Sequence, residues 1–283
     1  VYTLALRGLH DRAMNASNNM SDRKQMLQDA LMAQRKMLID ATGKRGEDIP
    51  QAFTPYKEVL DVYDEGLELP DDVTIIWPDD NYGYMKRLSS PKEQKRSGRS
   101  GVYYHSSYLG KPHDHLWMNT TSPTLMYEEL RKAYDMTADR IWLLNAGDIK
   151  ACEFAVDFFL SMAYDIDSFN FDRAAAYRTE WLCGMLGDEY RNEYQDVLNS
   201  FYKLAFARRP EFMGWGYQWA TDKHGRERNT DTDFSLTNYR EVDSRLSEYR
   251  RIGSITEEIL NKLPEEKKAC FYQSMYYPVK GCE

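Results

Sequence analysis

Ionisable side chains collect where the apolar runs of this sequence stop. "VYTLALRG" (Val1–Gly8) closes on Arg7 and is followed by His10 and Asp11. "VTIIW" runs into Asp79, Asp80 and Asn81. "GVYYHSSY" carries Tyr103, Tyr104, His105 and Ser106 at its end. "RIWLLNAGD" ends in Asn145, Gly147 and Asp148, with Lys150 and Glu153 just behind. Carboxylates and an imidazole brought to a common rim can exchange protons with a bound substrate. Trp77, Tyr82 and Tyr84 would then wall the hollow. Adjacent aspartates on an extended chain point to opposite sides, so at most one of Asp79 and Asp80 enters it directly, and the other caps a turn or holds a neighbour.

Each signal also has a plain local reading. "PDDN" is good turn sequence, and so is "NAGD". Glu128 and Glu129 lie early in a helix, where acids complement the dipole. "HDH" at His113–His115 imitates a metal-ligand pair, but it lies in a loop with no further ligands in line, so no metal is expected.

The runs need elements to position them. "SDRKQMLQDALMAQRKMLIDATG" (Ser21–Gly43) reads as a helix capped by Ser21, with Met26, Leu27, Ala30, Leu31, Met37 and Leu38 on one stripe and Gly43 as its stop. "TPYKEVLDVYDEGL" is a second, shorter helix. Further helices are expected at Ser122–Tyr134, with Pro123 at the first helical position, and near Lys150–Tyr164. Four strands alternating with helices imply a parallel sheet. Four cannot close a barrel and would leave open edges, so residues 1–168 are expected to form about half of a (β/α)8 barrel. In such a barrel the active site gathers at the carboxyl ends of the strands. Residues 169–283 carry helical spacing throughout. They are interrupted by one long polar loop with two tryptophans. The expected fold is α/β plus all-α, with an α-helical domain at 169–283. Both termini are abrupt, which suggests a piece of a longer protein.

Composition narrows the function. The formal charge of −8 disfavours nucleic acid, which wants a basic face. No stretch approaches the roughly 20 apolar residues of a membrane span. Cys152, Cys183, Cys270 and Cys282 are widely spaced, without the pairing of a zinc site or a disulfide scaffold. Aromatic residues make up 13% of the chain, including 21 tyrosines, which excludes disorder and suits stacking on sugar rings.

At "WPDDNYGYMKRL", "GVYYHSSYLG", "LWMNTTSPTLMYEEL" and "ADRIWLLNAGDIKACEFAVDFFLSMAYD" the sequence resembles glycoside hydrolase family 115, the xylan α-glucuronidases. The resemblance continues through "PEFMGWGYQW", "NYREVDSRLSEY" and "FYQSMYYPVKG", so it covers nearly the whole chain. There are departures: Tyr127 stands where tryptophan is expected, Cys152 follows Ala151 where proline is common, and Leu9-His10-Asp11 is one of several variants.

The resemblance implies the later half of a (β/α)8 barrel followed by a helical domain. It implies inverting hydrolysis of the α-1,2 bond that joins glucuronic acid, or its 4-O-methyl form, to xylose in glucuronoxylan. Inversion needs one carboxylic acid and one carboxylate about 6.5–9.5 Å apart. Asp80, Asp148 and Glu128 are the leading carboxyl candidates, with Asp79 and Glu153 behind them and the acid and base roles open. His105 is a further catalytic candidate. Arg7, Lys150 and His105 are placed to bind the substrate's own carboxylate. Asn81, Asn119 and Asn145 would bond sugar hydroxyls, and Trp117, Tyr104 and Tyr108 would stack, with Asp79 in a binding role. No cofactor is required. Glucuronoxylan or aldouronic oligosaccharides are the expected partners, a homodimer is left open, and a periplasmic or extracellular location follows from the resemblance. A non-catalytic carbohydrate-binding relative and a metal-dependent hydrolase on the same fold are the competing readings.

Overall fold

A computed structural model describes residues 1–8, 13, 14, 19–214, 224 and 230–283. His10, Asp11 and the two tryptophans of the polar loop, Trp215 and Trp219, lie outside the described residues.

One sheet of five strands runs in the order β1-β2-β3-β4-β5. The strands are β1 (Tyr2–Thr3), β2 (Gln51–Phe53), β3 (Thr74–Pro78), β4 (Ser100–His105) and β5 (Trp142–Asn145). Pairing is parallel, with Tyr2 opposite Gln51, Ala52 opposite Thr74, and Ile75 opposite Ser100. β5 joins through Val102 N to Ile141 O at 2.9 Å. Helices α1 (Met20–Thr42), α2 (Glu58–Asp64), α3 (Pro123–Asp135) and α4 (Ile149–Tyr164) follow β1, β2, β4 and β5, while β3 reaches β4 through a loop with a short 3-10 turn at Glu93–Lys95. Sequential parallel strands joined by helices are the construction of part of a (β/α)8 barrel.

The sequence marks four of these strands and misses β2. It has three residues, all buried, between Pro50 and Pro55. A run that short shows no period, and the prolines read as breaks. α1 also differs from expectation. Its cap is Asn19, whose side chain accepts Ser21 N at 2.9 Å, so Ser21 is inside the helix. Leu27 and Leu31 are buried, while Met26 and Met37 are exposed, so the apolar stripe is narrower than the sequence suggests. Gly43 closes the helix at φ 66°, as its type predicts.

Glycine at 101 has a specific cause. A Cβ there would lie 2.0 Å from Ile141 O, so β4 and β5 can approach only because that side chain is absent.

After Ser168 the described chain is helical: α5 (Phe171–Leu186), α6 (Arg191–Ala207), α7 (Glu241–Lys262), α8 (Glu265–Phe271) and α9 (Tyr277–Cys282). α8 and α9 are joined by a π-helical turn, Tyr272–Tyr276. Pro278 accounts for that turn. It has no N–H to give Ser274 O, and Arg178 Nη2 takes that carbonyl instead at 2.7 Å.

By internal contacts the chain forms two compact units. Unit one comprises Val1–Asp80, Tyr84–Tyr104 and Glu129–Leu143. Its core includes Leu4, Leu27, Leu31, Phe53, Val59 and Val73. Unit two comprises Asn81–Gly83, His105–Glu128 and Leu144–Glu283, with Leu182, Tyr194, Phe201, Ile252 and Phe271 in its core. The change from alternating to all-helical elements near residue 168 is a division in chain order and falls inside unit two. No helix is long and apolar enough to cross a membrane among the described residues.

Candidate active site

In unit one, β3 delivers the two aspartates. Asp79 is 1% exposed and pairs with Met85 in an antiparallel bridge. Asp80 closes the turn that follows: its N–H is donated to Tyr84 O at 2.8 Å, and its Oδ1 accepts Tyr84 N–H at 3.1 Å. One member of the pair is therefore buried and the other caps, as adjacent residues on a strand require. The next support is Glu129, whose Oε2 accepts Met85 N–H at 2.8 Å and whose Oε1 pairs with Lys132 at 2.8 Å.

Two expected wall residues are core residues. Trp77 is fully buried and gives its indole N–H to Ser89 Oγ at 2.9 Å. Tyr104 is 0% exposed, so it offers no face for stacking on a sugar. Alternation along β4 turns it inward and leaves Tyr103 half-buried on the other side. Arg7 is engaged by Glu58 through Nε at 3.3 Å and Nη2 at 3.2 Å, over the ring of Tyr56. An arginine held this way has its bidentate edge occupied.

In unit two, β4 ends at His105, buried with its ring edge-on to Tyr108 at 5.6 Å. The loop beyond folds back, with Tyr108 and His115 exchanging backbone hydrogen bonds of 2.8 and 2.9 Å. "HDH" is a structural pin. His115 Nε2 donates to Asn81 O at 2.6 Å, and Tyr82 O–H is donated to His113 O at 2.5 Å. Burial, with the Arg209 guanidinium second, holds His115 down to about 3, so it is a neutral donor. Asn81 sits at φ 75° and Asn119 at φ 53°, conformations asparagine tolerates. Asn119 is buried and gives Nδ2 to Trp117 O at 3.0 Å. Among the described residues no group of three or more His, Cys, Asp or Glu is placed to hold a metal ion.

β5 leads to the exposed part of the site. Asn145 O accepts Ser106 N–H at 3.0 Å, and its Oδ1 accepts Gly147 N–H at 3.3 Å. Gly147 takes φ 60°, which turns the chain into α4. Asp148 occupies the N-cap position without using its side chain to cap. Its Oδ2 instead accepts the Trp117 indole N–H at 3.0 Å. Lys150 is 87% exposed on its side chain and pairs with Glu153 at 3.1 Å. Glu128 is exposed on α3. The structure thus brings Trp117, Asp148, Lys150 and Glu153 together, and separately Asn81, His115, His113 and His105.

Sequence reading missed a second cluster in unit two. Arg209 Nη1 donates to Thr120 Oγ1 at 3.0 Å, while Nη2 reaches Thr121 Oγ1 at 3.1 Å and Tyr82 O. Thr120 Oγ1 in turn donates a hydrogen bond to Glu211 Oε1 at 2.9 Å. Burial pushes the Glu211 carboxyl up, against the pull of Arg209 and Thr120. The available signal was "RPEF", an arginine and a glutamate bracketing a proline at the start of the long polar loop.

Within unit two, Asp148 stands just past the carboxyl end of β5 with its carboxylate held by the Trp117 indole, the end of a strand at which a (β/α)8 scaffold gathers its active site. The family model described as glycosyl hydrolase family 115 matches residues 1–212, and the chain belongs to that family. Among solved structures it is similar to a family GH115 4-O-methyl-α-glucuronidase with specificity for decorated arabinogalactans. That match has 36% identity and a TM-score of 0.87, and covers 99% of this chain and 36% of the other. The chain thus spans about a third of the length of the structure it matches. No curated protein matches it.

Proposed function

We propose that the protein containing this chain releases glucuronic acid, or its 4-O-methyl form, from side chains of a plant polysaccharide by an inverting acid–base reaction. The observation that carries the reading is Asp148: an exposed carboxylate at the end of β5, oriented by an indole rather than spent on capping its helix. Asp148 is the first carboxyl candidate. Asp80 and Glu128 are the others, and His105 and Asp79 act beside them. Asn81, Asn119, Asn145, Trp117 and Lys150 would bind or hold the sugar. Inversion divides the work between an acid that protonates the leaving oxygen and a base that activates water.

Glucuronoxylan is the first substrate, through α-1,2-linked uronic acid. A decorated arabinogalactan is the second, because the similar solved glucuronidase has that specificity. A polymeric substrate supports action in the periplasm or outside the cell. The test is release of uronic acid from both polymers by the full-length protein, with the first-formed anomer followed by NMR. Asp148→Asn is expected to remove more than about 99% of the activity. Absence of release from either polymer by the unaltered protein would refute the proposal.

A further inference from the structure

Unit two carries an open groove of about 630 Å³ lined by Trp117, Asp148, Lys150, Tyr272, Gln273 and Tyr277. Its size is that of a ligand site. With Ala269, four of the seven lining residues come from the helical segment near residue 270, which the sequence marks by helical spacing and by its part in the family resemblance. We infer that Tyr272, Gln273 and Tyr277 extend the site beside Asp148 into a subsite for the neutral pyranosyl main chain that bears the uronic acid. The inference rests on the proposed glucuronidase reading and adds the chain-binding surface.

Three observations carry it. The rings are uncovered: Trp117 is 49% exposed, Tyr272 48% and Tyr277 38%. Each joins an apolar face to a polar edge, the combination that suits a sugar ring. The rings are also preset. The π-helical turn places Tyr272 at 5.4 Å from Tyr276 and 6.4 Å from Tyr277, with interplanar angles of 37° and 32°. π-turns are frequent at functional sites, and this one has a built-in cause in Pro278 and the Arg178–Ser274 bond. Gln273 Nε2 is donated to Lys150 O, which ties the turn to the start of α4.

Charge then selects the ligand. Asp148 and Lys150 both line the groove, and Glu153 pairs with Lys150, so two carboxylates and one ammonium leave the groove with a net negative balance. A second anion there would be repelled, whereas a neutral chain would not. Hydroxyls find acceptors and donors in Asp148 and Gln273, and the ring faces find the aromatics. The main chain fits the aromatic side of the groove, next to the carboxylate that meets the bond to the uronic acid.

The test titrates the full-length protein with neutral xylo-oligosaccharide and, separately, neutral galacto-oligosaccharide, by calorimetry. The unaltered protein is expected to bind one of them. The Tyr272→Ala/Tyr277→Ala variant is expected to bind it about tenfold more weakly, while Tyr164→Ala, an exposed tyrosine on α4, matches the parent. A melting curve verifies folding; should the double variant melt early, Tyr272→Ala replaces it. Equal affinity of variant and parent, or no binding of either oligosaccharide by the parent, overturns the inference. Uronic acid release is assayed on the same preparations. Loss of that activity in the parent would refute the glucuronidase reading by itself, separately from the binding result.

Discussion

Trp117 donates its indole N–H to Asp148 Oδ2 over 3.0 Å, although 31 residues separate them in sequence. The bond fixes a carboxylate that sits at the N-cap position without capping its own helix. A hydrogen bond to a charged group contributes about 1.5–3 kcal/mol. Trp117→Phe keeps the ring and removes the donor. It should lower kcat/KM by about tenfold, with little change in melting temperature because the residue is half exposed. Steady-state kinetics on glucuronoxylan and on decorated arabinogalactan would show this. An unchanged kcat/KM on the polymer that is cleaved would mean that Asp148 does not depend on the indole.

Arg209 is the cross-brace of unit two. One guanidinium serves Thr120, Thr121 and the Tyr82 carbonyl. Arg209→Ala would leave these groups short of a donor, at a cost of about 2–3 kcal/mol in urea unfolding. Arg209→Lys should recover less than half of that, since an ammonium cannot present a planar fork to several acceptors. Full recovery by lysine would show that charge alone matters there.

The sequence made the β/α alternation legible because α1 is long and closes on Gly43, while β3 is an unbroken apolar run. It was silent on β2, where three residues between prolines show none. It located Asp148 and Trp117 as separate candidates, but could not join them, because a contact across 31 residues leaves no local pattern. Tyr104 was misassigned to the wall because its neighbour Tyr103 has the same residue type, and which of the two faces inward depends on register. Tyr272 and Tyr277 were invisible as a pair. Five positions apart, they meet through a π-turn rather than through regular helical spacing.

His115 predicts an acid-sensitive fold. Its imidazole is held down to about 3, below the usual value near 6.5. The unfolded chain therefore takes up the proton first. The stability associated with the neutral ring is fully present above about pH 6.5 and is lost as pH falls toward the folded value, by up to about 1.4 kcal/mol per pH unit. His115→Gln keeps a donor for Asn81 O and does not titrate. Its urea midpoint should fall less steeply than the parent's between pH 6 and 4. Parallel midpoints would show that His115 titrates normally, and an NMR titration of the ring would confirm it.

Glu211 predicts the opposite slope, starting at the ordinary carboxyl value. Burial raises its carboxyl above the ordinary value, while Oε2 is buried without a hydrogen-bond partner and Oε1 accepts from Thr120 at 2.9 Å. The folded protein thus holds that proton more tightly than the unfolded chain does. The associated stability is present below the unfolded carboxyl value and is lost as pH rises through the folded one. Glu211→Gln retains an acceptor for Thr120 and stays neutral at every pH. The variant should therefore match the parent in acid, gain on it from about pH 4 upward, and hold a constant advantage above the folded carboxyl value, as thermal melts across that range would reveal. A parent that stays as stable as the variant at pH 8 would mean that Arg209 compensates the ionised carboxylate in full. In that case the buried Oε2 would carry charge at no cost, which its surroundings argue against.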